Sequence, residues 1–213
     1  PTISMASKAA PAPRKQPRQS RAQATVEAML DAAAHILVEA GYEGFNTNKV
    51  AEQAGVSIGS LYQYFPNKAA LLAALRHRHA RQMQEMVSAC MVEAIAAPLD
   101  QAVRTLVQGV MAAHRIHPAL HQVLEQHVPR QTQQTSTTDW EIQLRLQLQA
   151  WLQAHQGELC IHDCQLSSLI LVRMVDALVH SALISDPLGT PTDALEAEIS
   201  VVVLRYLRGS DPA

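Results

Sequence analysis

Thr47-Asn48-Lys49-Val50-Ala51-Glu52-Gln53-Ala54-Gly55-Val56-Ser57-Ile58-Gly59-Ser60-Leu61-Tyr62-Gln63-Tyr64-Phe65-Pro66-Asn67-Lys68 reads as two short helices joined by a tight turn, with a third helix opening at its end. Thr47 is a candidate cap for the first of these helices, which would bury Val50, Ala51 and Ala54. Gly55 ends it and Val56-Ser57 makes the turn. Ser57 is placed to cap the second helix, and Pro66, which lacks an amide hydrogen, stops it after Phe65. Asn67 then caps the helix that begins at Lys68.

The helix from Ser57 to Phe65 has a divided surface. At about 100° per residue, Ile58, Leu61 and Phe65 fall on one side and can lock it to its neighbours. Gly59, Ser60 and Gln63 fall opposite, with Tyr62 and Tyr64 on the two borders. A helix entering the DNA major groove needs a small, polar outer face that can approach base edges. Hydrogen-bonding side chains on both flanks can reach the phosphates of the groove walls. Gly59 costs a helix up to ~1 kcal/mol relative to Ala, and a close backbone approach to DNA would compensate. Thr47 and Lys68 each open a helix, where free amide groups and the positive dipole end favour phosphate.

Working outward, Val26, Met29, Leu30, Ala33, Leu37 and Ala40 recur at spacings of three and four, a helix closed by Gly41. Residues 1–22, with Pro11, Pro13 and Pro17 and no apolar periodicity, read as a flexible basic arm. Downstream, helices are expected from Lys68 to about Ala94, from Leu99 to Ile116, from Pro118, from a capping box at Thr138 to Gly157, from Gln165 to Ser185, and from Thr192 to Gly209. No stretch alternates as a strand. The predicted fold is all-α with about nine helices: an arm over 1–22, a three-helix helix-turn-helix domain over 23–80, and a helical ligand-binding and dimerisation domain over 81–213.

Composition agrees with a helical, non-membrane chain. Hydrophobic residues make up 48% of the 213 and aromatics 4%, and no apolar run is long enough to span a bilayer. Three cysteines do not make a disulfide framework, and no secretory leader is evident, so a cytoplasmic location is expected. Charge is uneven. Residues 1–81 hold ten Lys or Arg and five acids, a net of +5, and the remainder nets −7. Such asymmetry suits a protein that meets a polyanion at one end. Half of the basic residues in that part lie in 1–22, so a basic tail alone also accounts for it.

The set Thr47, Val50-Ala51, Ala54-Gly55-Val56-Ser57, Gly59, Leu61-Tyr62, Tyr64-Phe65, Lys68 and Leu71 resembles the tetracycline-repressor (TetR) family of bacterial regulators over about residues 24–80. The resemblance implies phosphate contacts from Thr47, Tyr62, Tyr64 and Lys68. It implies base-edge or close-backbone contacts from Asn48, Ile58, Gly59, Ser60 and Gln63. It also implies a homodimer through the last two helices, a double-stranded DNA operator, and a small-molecule effector that releases a repressor from a palindromic site.

The last two helices are independently apolar almost all round, as helices buried between a domain and a second subunit must be. On the first of them, Arg173, Asp176 and His180 form a stripe. Read as a pocket lining, it would orient an otherwise apolar ligand together with Met111 and His114 and with Trp140, Leu144 and Trp151. The plainer alternative is a local ion pair and ordinary core. Two groupings invite a metal reading: Cys160-Ile161-His162-Asp163-Cys164, and His117, His121 and Glu125 one turn apart. Neither has a familiar zinc spacing, so no metal or cofactor is expected. A helical small-molecule-binding dimer sensing metal or redox state through Cys160, His162 and Cys164 is the competing function. No nucleophile-and-base grouping or phosphate-cradling glycine loop is present, so no enzyme is expected.

Overall fold

The structure, a computed structural model, describes residues 17–126, 128, 136–185 and 191–209; the side chains of residues 17–20, 136–141 and 183–185 also lie outside the description. Among the described residues the chain forms nine α-helices and no strand. They are α1 (Pro17–Gly44), α2 (Thr47–Gln53), α3 (Ile58–Tyr64), α4 (Lys68–Ala94), α5 (Leu99–His114), α6 (Pro118–Gln126), α7 (Ser136–Ala154), α8 (Cys164–Ser185) and α9 (Thr192–Arg208). No described helix is long and apolar enough to cross a membrane.

α1 starts at Pro17 and so takes in the last six residues of the stretch read as an arm, and only residues 1–16 of that stretch lie outside the description. Proline is at home in a first helical turn, where its missing donor costs nothing. Gly41 closes the long stretch of α1 as expected: its backbone is non-helical, at φ 66°, ψ −178°, and a short helical stretch follows the kink as far as Gly44. Ala40, expected inside, is exposed just before the kink.

Two cores form. The first joins Met29, Ala33 and Leu37 of α1 to Val50 and Ala51 of α2, Leu61 of α3, and Leu71 and Leu75 of α4. Leu120 and Leu124 of α6 belong to this same core, although they follow residue 80 in the chain. The second gathers Met91 of α4, Val103 and Val107 of α5, Trp151 and Leu152 of α7, Leu171 and Val179 of α8, and Val203 and Leu207 of α9. α4 runs unbroken through both, so the two parts share an element and meet without a linker.

Arg76 fastens α6 to α4. Its guanidinium, 7% exposed, donates to Glu125 Oε1 at 2.7 Å and to the carbonyls of Leu124, in the last turn of α6, and of Val128, just beyond it. A cation at a helix C-terminus satisfies carbonyls that have no partner within the helix. α4 and α5 approach closely where Gly109 faces Cys90. A β-carbon on Gly109 would stand 2.5 Å from the Cys90 sulfur and 2.8 Å from its Cβ.

Candidate nucleic-acid interface and internal cavity

The α2–α3 unit is built by its caps. Asn46, not Thr47, caps α2, its side chain accepting from the Asn48 amide at 2.8 Å. Thr47 is therefore the first helical residue, and its hydroxyl is free to pair with the Tyr62 hydroxyl at 3.1 Å across the two helices. Gly55 makes the turn at φ 67°. Ser57 caps α3 by accepting from the Ser60 amide at 3.1 Å, and its hydroxyl also meets that of Ser60 at 2.9 Å.

Leu61 and Phe65 of the α3 segment are buried, while Tyr62 and Tyr64 are 45% and 43% exposed on its flanks. Ile58 departs from the helical-wheel expectation. It is exposed, because a residue in the first turn projects past the end of the core it was assigned to. Asn48, Gly59 and Gln63 are exposed beside it, and Ser60 is half-buried. A β-carbon at Gly59 would meet only Ser57 Oγ, at 3.9 Å. Internal packing therefore does not require glycine there.

Lys68 is anchored to the neighbouring helix end and not freely solvated. Its ammonium donates to the Tyr42 carbonyl at 2.6 Å and sits over the Tyr42 ring, 4.2 Å from the centroid. An ammonium has three donors, so two remain for other acceptors. The kink at Gly41 brings Tyr42 to this position, a relation invisible in local spacing.

An internal cavity of about 450 Å³ lies between α4, α5, α7, α8 and α9, with the end of α6 at one side. One end is apolar, walled by Met83, Val87, Val107, Leu148 and Trp151. The other is polar, with Arg76, His79, His114, His121, Asp176 and His180. Of the pocket residues expected from sequence, His114, Leu144, Trp151, Arg173, Asp176 and His180 line this space. Met111 does not. It is buried in the second core on another side of α5. Trp140 lies in α7, and its side chain is among those outside the description.

The histidines of the polar end form a connected chain. His79 Nε2 lies 3.1 Å from His121 Nδ1, and His121 Nε2 lies 3.4 Å from His180 Nδ1. His114 Nδ1 is 2.8 Å from the Val110 carbonyl, and its Nε2 is 3.4 Å from Asp176 Oδ1. Burial, then the positive charge of His117, His114 and nearby arginines, pushes His79 down to about 4. Burial, then His114, His79 and His180, pushes His121 down to about 3. Burial would raise the Asp176 carboxyl, but the hydrogen bond from His114 and the neighbouring histidines hold it below its usual value.

His79 and Arg76 escaped the sequence reading. The signal for His79 was present: it stands one turn after buried Leu75 and one turn before Met83, an apolar stripe with a histidine inside it. His121 was singled out with His117 and Glu125, but the fold separates that group. His117 is exposed, and Glu125 pairs with Arg76. Cys160, His162 and Cys164 do not converge on a common point either. Cys164 is buried, Cys160 and His162 are exposed, and Asp163 caps α8 by accepting from the amides of Gln165 and Leu166.

Residues 98–207 match the family described as "Tetracyclin repressor-like, C-terminal domain", and residues 29–75 match "Bacterial regulatory proteins, tetR family". The "Fatty acid metabolism regulator protein" of Bacillus subtilis is 43% identical over 47 residues, which is 22% of this chain and 24% of that protein. The "HTH-type transcriptional repressor KstR" of Mycolicibacterium smegmatis is 48% identical over 44 residues, 21% of this chain and 22% of the relative. These matches therefore span about a quarter of the relatives' length. Among solved structures, the transcriptional regulator FadR from Bacillus subtilis in complex with stearoyl-CoA superposes with a TM-score of 0.65 at 21% identity, covering 87% of this chain and 99% of that one.

Proposed function

The chain belongs to the tetracycline-repressor (TetR) family of bacterial regulatory proteins, and from that membership we propose that it is a dimeric repressor, released from a palindromic operator by a small molecule held in its internal cavity. The observation that carries the DNA reading is the outer face of α3. There Ile58, Gly59 and Ser60 stand clear of the core, between the Thr47–Tyr62 hydroxyl pair and Tyr64. Thr47, Tyr62, Tyr64 and Lys68 hold phosphates, while Asn48, Ile58, Gly59 and Ser60 approach base edges. The open space where a Gly59 side chain would stand supports a close approach by DNA backbone or bases. No catalytic step is assigned, and the protein acts in the cytoplasm, where bacterial DNA is.

Dimerisation is assigned to α8 and α9. Leu166, Ile170 and Leu178 of α8 and Val201 and Val202 of α9 are exposed apolar side chains on these two helices. Burying such a surface against a second copy is the usual resolution for apolar helices of this kind. The twofold axis would set two α3 helices about 34 Å apart, one turn of DNA.

The cavity volume falls in the range that encloses drug-sized ligands. Its two unlike ends favour an effector with an apolar body and a polar head. Binding acts by differential affinity for two dimer geometries, one matched to DNA and one not.

Selection of bound duplexes from a random pool by the purified full chain tests the DNA reading. The expected result is an enriched inverted repeat bound with an affinity that falls steeply with salt. Recovery of no common sequence, or salt-insensitive binding, refutes it. Melting-temperature shifts across a panel of amphipathic small molecules test the effector class.

A further inference from the structure

The polar end of the cavity has more ligating groups than an organic head group needs. The donor nitrogens of His114 on α5, His121 on α6 and His180 on α8 lie within 4.8 Å of one another. Asp176, one turn before His180, brings a carboxylate oxygen to 3.4 Å from His114 Nε2. We propose that His114, His121, His180 and Asp176 form a binding site for a single divalent transition cation of the zinc class, a reading that rests on the cavity being the effector chamber and names one of its ligands.

Three features of the geometry point this way. The first is the direction of the lone pairs. The Val110 carbonyl can only accept, so Nδ1 of His114 carries a hydrogen and its Nε2 faces the Asp176 carboxylate. A positive species must be shared between that nitrogen and the carboxylate oxygen, either the proton of the His114–Asp176 hydrogen bond or a cation in its place. The second is spacing. A tetrahedral centre with metal–nitrogen bonds of about 2.0–2.1 Å sets its ligand atoms about 3.3–3.4 Å apart. His121 Nε2 to His180 Nδ1 and His114 Nε2 to Asp176 Oδ1 are each 3.4 Å. The three imidazole donors lie within 4.8 Å of one another and would have to draw together to close on one ion, while Asp176 Oδ1 stands against His114 and would have to rotate towards the other two.

The third is the outer shell. Metal-bound imidazoles characteristically donate their second N–H to a fixed acceptor. His114 has Val110 for this, and His121 Nδ1 faces His79 Nε2 at 3.1 Å. The donor set also selects among metals. Three imidazoles and one carboxylate suit zinc, cobalt, nickel or copper, and not calcium or magnesium, which take oxygen ligands. The apolar end of the cavity is left free for an organic molecule.

The test uses the full chain purified without a polyhistidine tag, stripped with chelator, and titrated with Co²⁺. Saturation at one equivalent per chain, with the intense visible bands of tetrahedral cobalt and their loss on adding Zn²⁺, is the expected result. His114→Gln and His180→Gln should each abolish those bands while leaving the melting temperature of the metal-free protein near that of the parent. His79→Leu, which touches only the outer shell, should keep the stoichiometry and weaken binding by roughly 10- to 100-fold. Absence of saturable binding by the parent chain overturns the proposal. So does binding unchanged in both glutamine variants, which would put the ion elsewhere. DNA affinity is measured separately on metal-free protein, so failure of the regulator reading and failure of the metal site are told apart.

Discussion

Replacing Tyr62 by Phe removes one oxygen from the flank of α3 and leaves the ring in place. That oxygen is 3.1 Å from Thr47 Oγ1, and the side chain is 45% exposed. In the free protein the loss is a hydrogen bond between two exposed hydroxyls, so stability should change by less than about 1 kcal/mol. Under the proposed role the same hydroxyl donates to a phosphate on DNA, and losing a hydrogen bond to a charged group costs ~1.5–3 kcal/mol. Kd should therefore rise roughly 10- to 150-fold. The loss should be shared by specific and unrelated duplexes, because phosphates carry no sequence information. Ser60→Ala, on the outer face, should instead reduce discrimination between sites. Thr47→Val tests the pair: if both hydroxyls clasp one phosphate as a unit, the double variant loses less than the sum of the singles. Fluorescence anisotropy at fixed ionic strength, with urea melts of each variant, separates binding from folding. A Tyr62→Phe Kd within about threefold of the parent, at unchanged stability, would refute the phosphate role.

Three further outcomes are expected. Gly109→Ala gains up to ~1 kcal/mol of helix propensity but forces a β-carbon to 2.5 Å from the Cys90 sulfur, an overpacking cost of about 1–3 kcal/mol, so urea denaturation should show a net loss or at best no gain. Arg76→Met should lose about 3–5 kcal/mol in the same measurement, since the buried guanidinium bonded to Glu125, Leu124 and Val128 is removed, and adding Glu125→Met should recover part of it. Val202→Asp, on an exposed apolar patch of α9, should convert a dimer to monomer in sedimentation or light scattering, and an unchanged mass would move the interface elsewhere.

The helix-turn-helix was legible because its instructions are local. Ser57 and Asn67 cap the helices they immediately precede, and Leu61 and Phe65 repeat at helical spacing. Misreadings arose at element ends, where periodicity loses meaning. Ile58 escapes the core at the first turn of α3, and Asn46 takes the cap expected of Thr47. Lys68 was legible as a charge at a helix start. Its seat on Tyr42 depends on a kink at Gly41, twenty-seven residues upstream in the chain.

Half of the cavity's polar end was legible, and for the same reason. Arg173, Asp176 and His180 share one helix, so spacing alone groups them. His114 was also expected in the pocket, from its place on α5, whereas His79 and His121 come from two other helices and join the group only through tertiary packing. The Cys160–Cys164 cluster shows the converse: proximity in sequence brought no convergence, because Asp163 is spent on starting α8 and Cys164 on filling the core.

α4 has a geometric consequence that its role in packing does not reveal. Val87 stands in the cavity wall and Lys68 at the helix-turn-helix end of the same unbroken helix. The nineteen residue steps from one to the other span about 28 Å at 1.5 Å per residue. A tilt of about 5° at the cavity therefore sweeps the Lys68 end through about 2.5 Å, which is more than a hydrogen bond tolerates. In a twofold pair the components of the two sweeps perpendicular to the axis are opposed, so the distance between the reading heads changes by up to about twice that amount. A change too small to open the cavity is thus sufficient to put a pair of heads out of step with one turn of DNA.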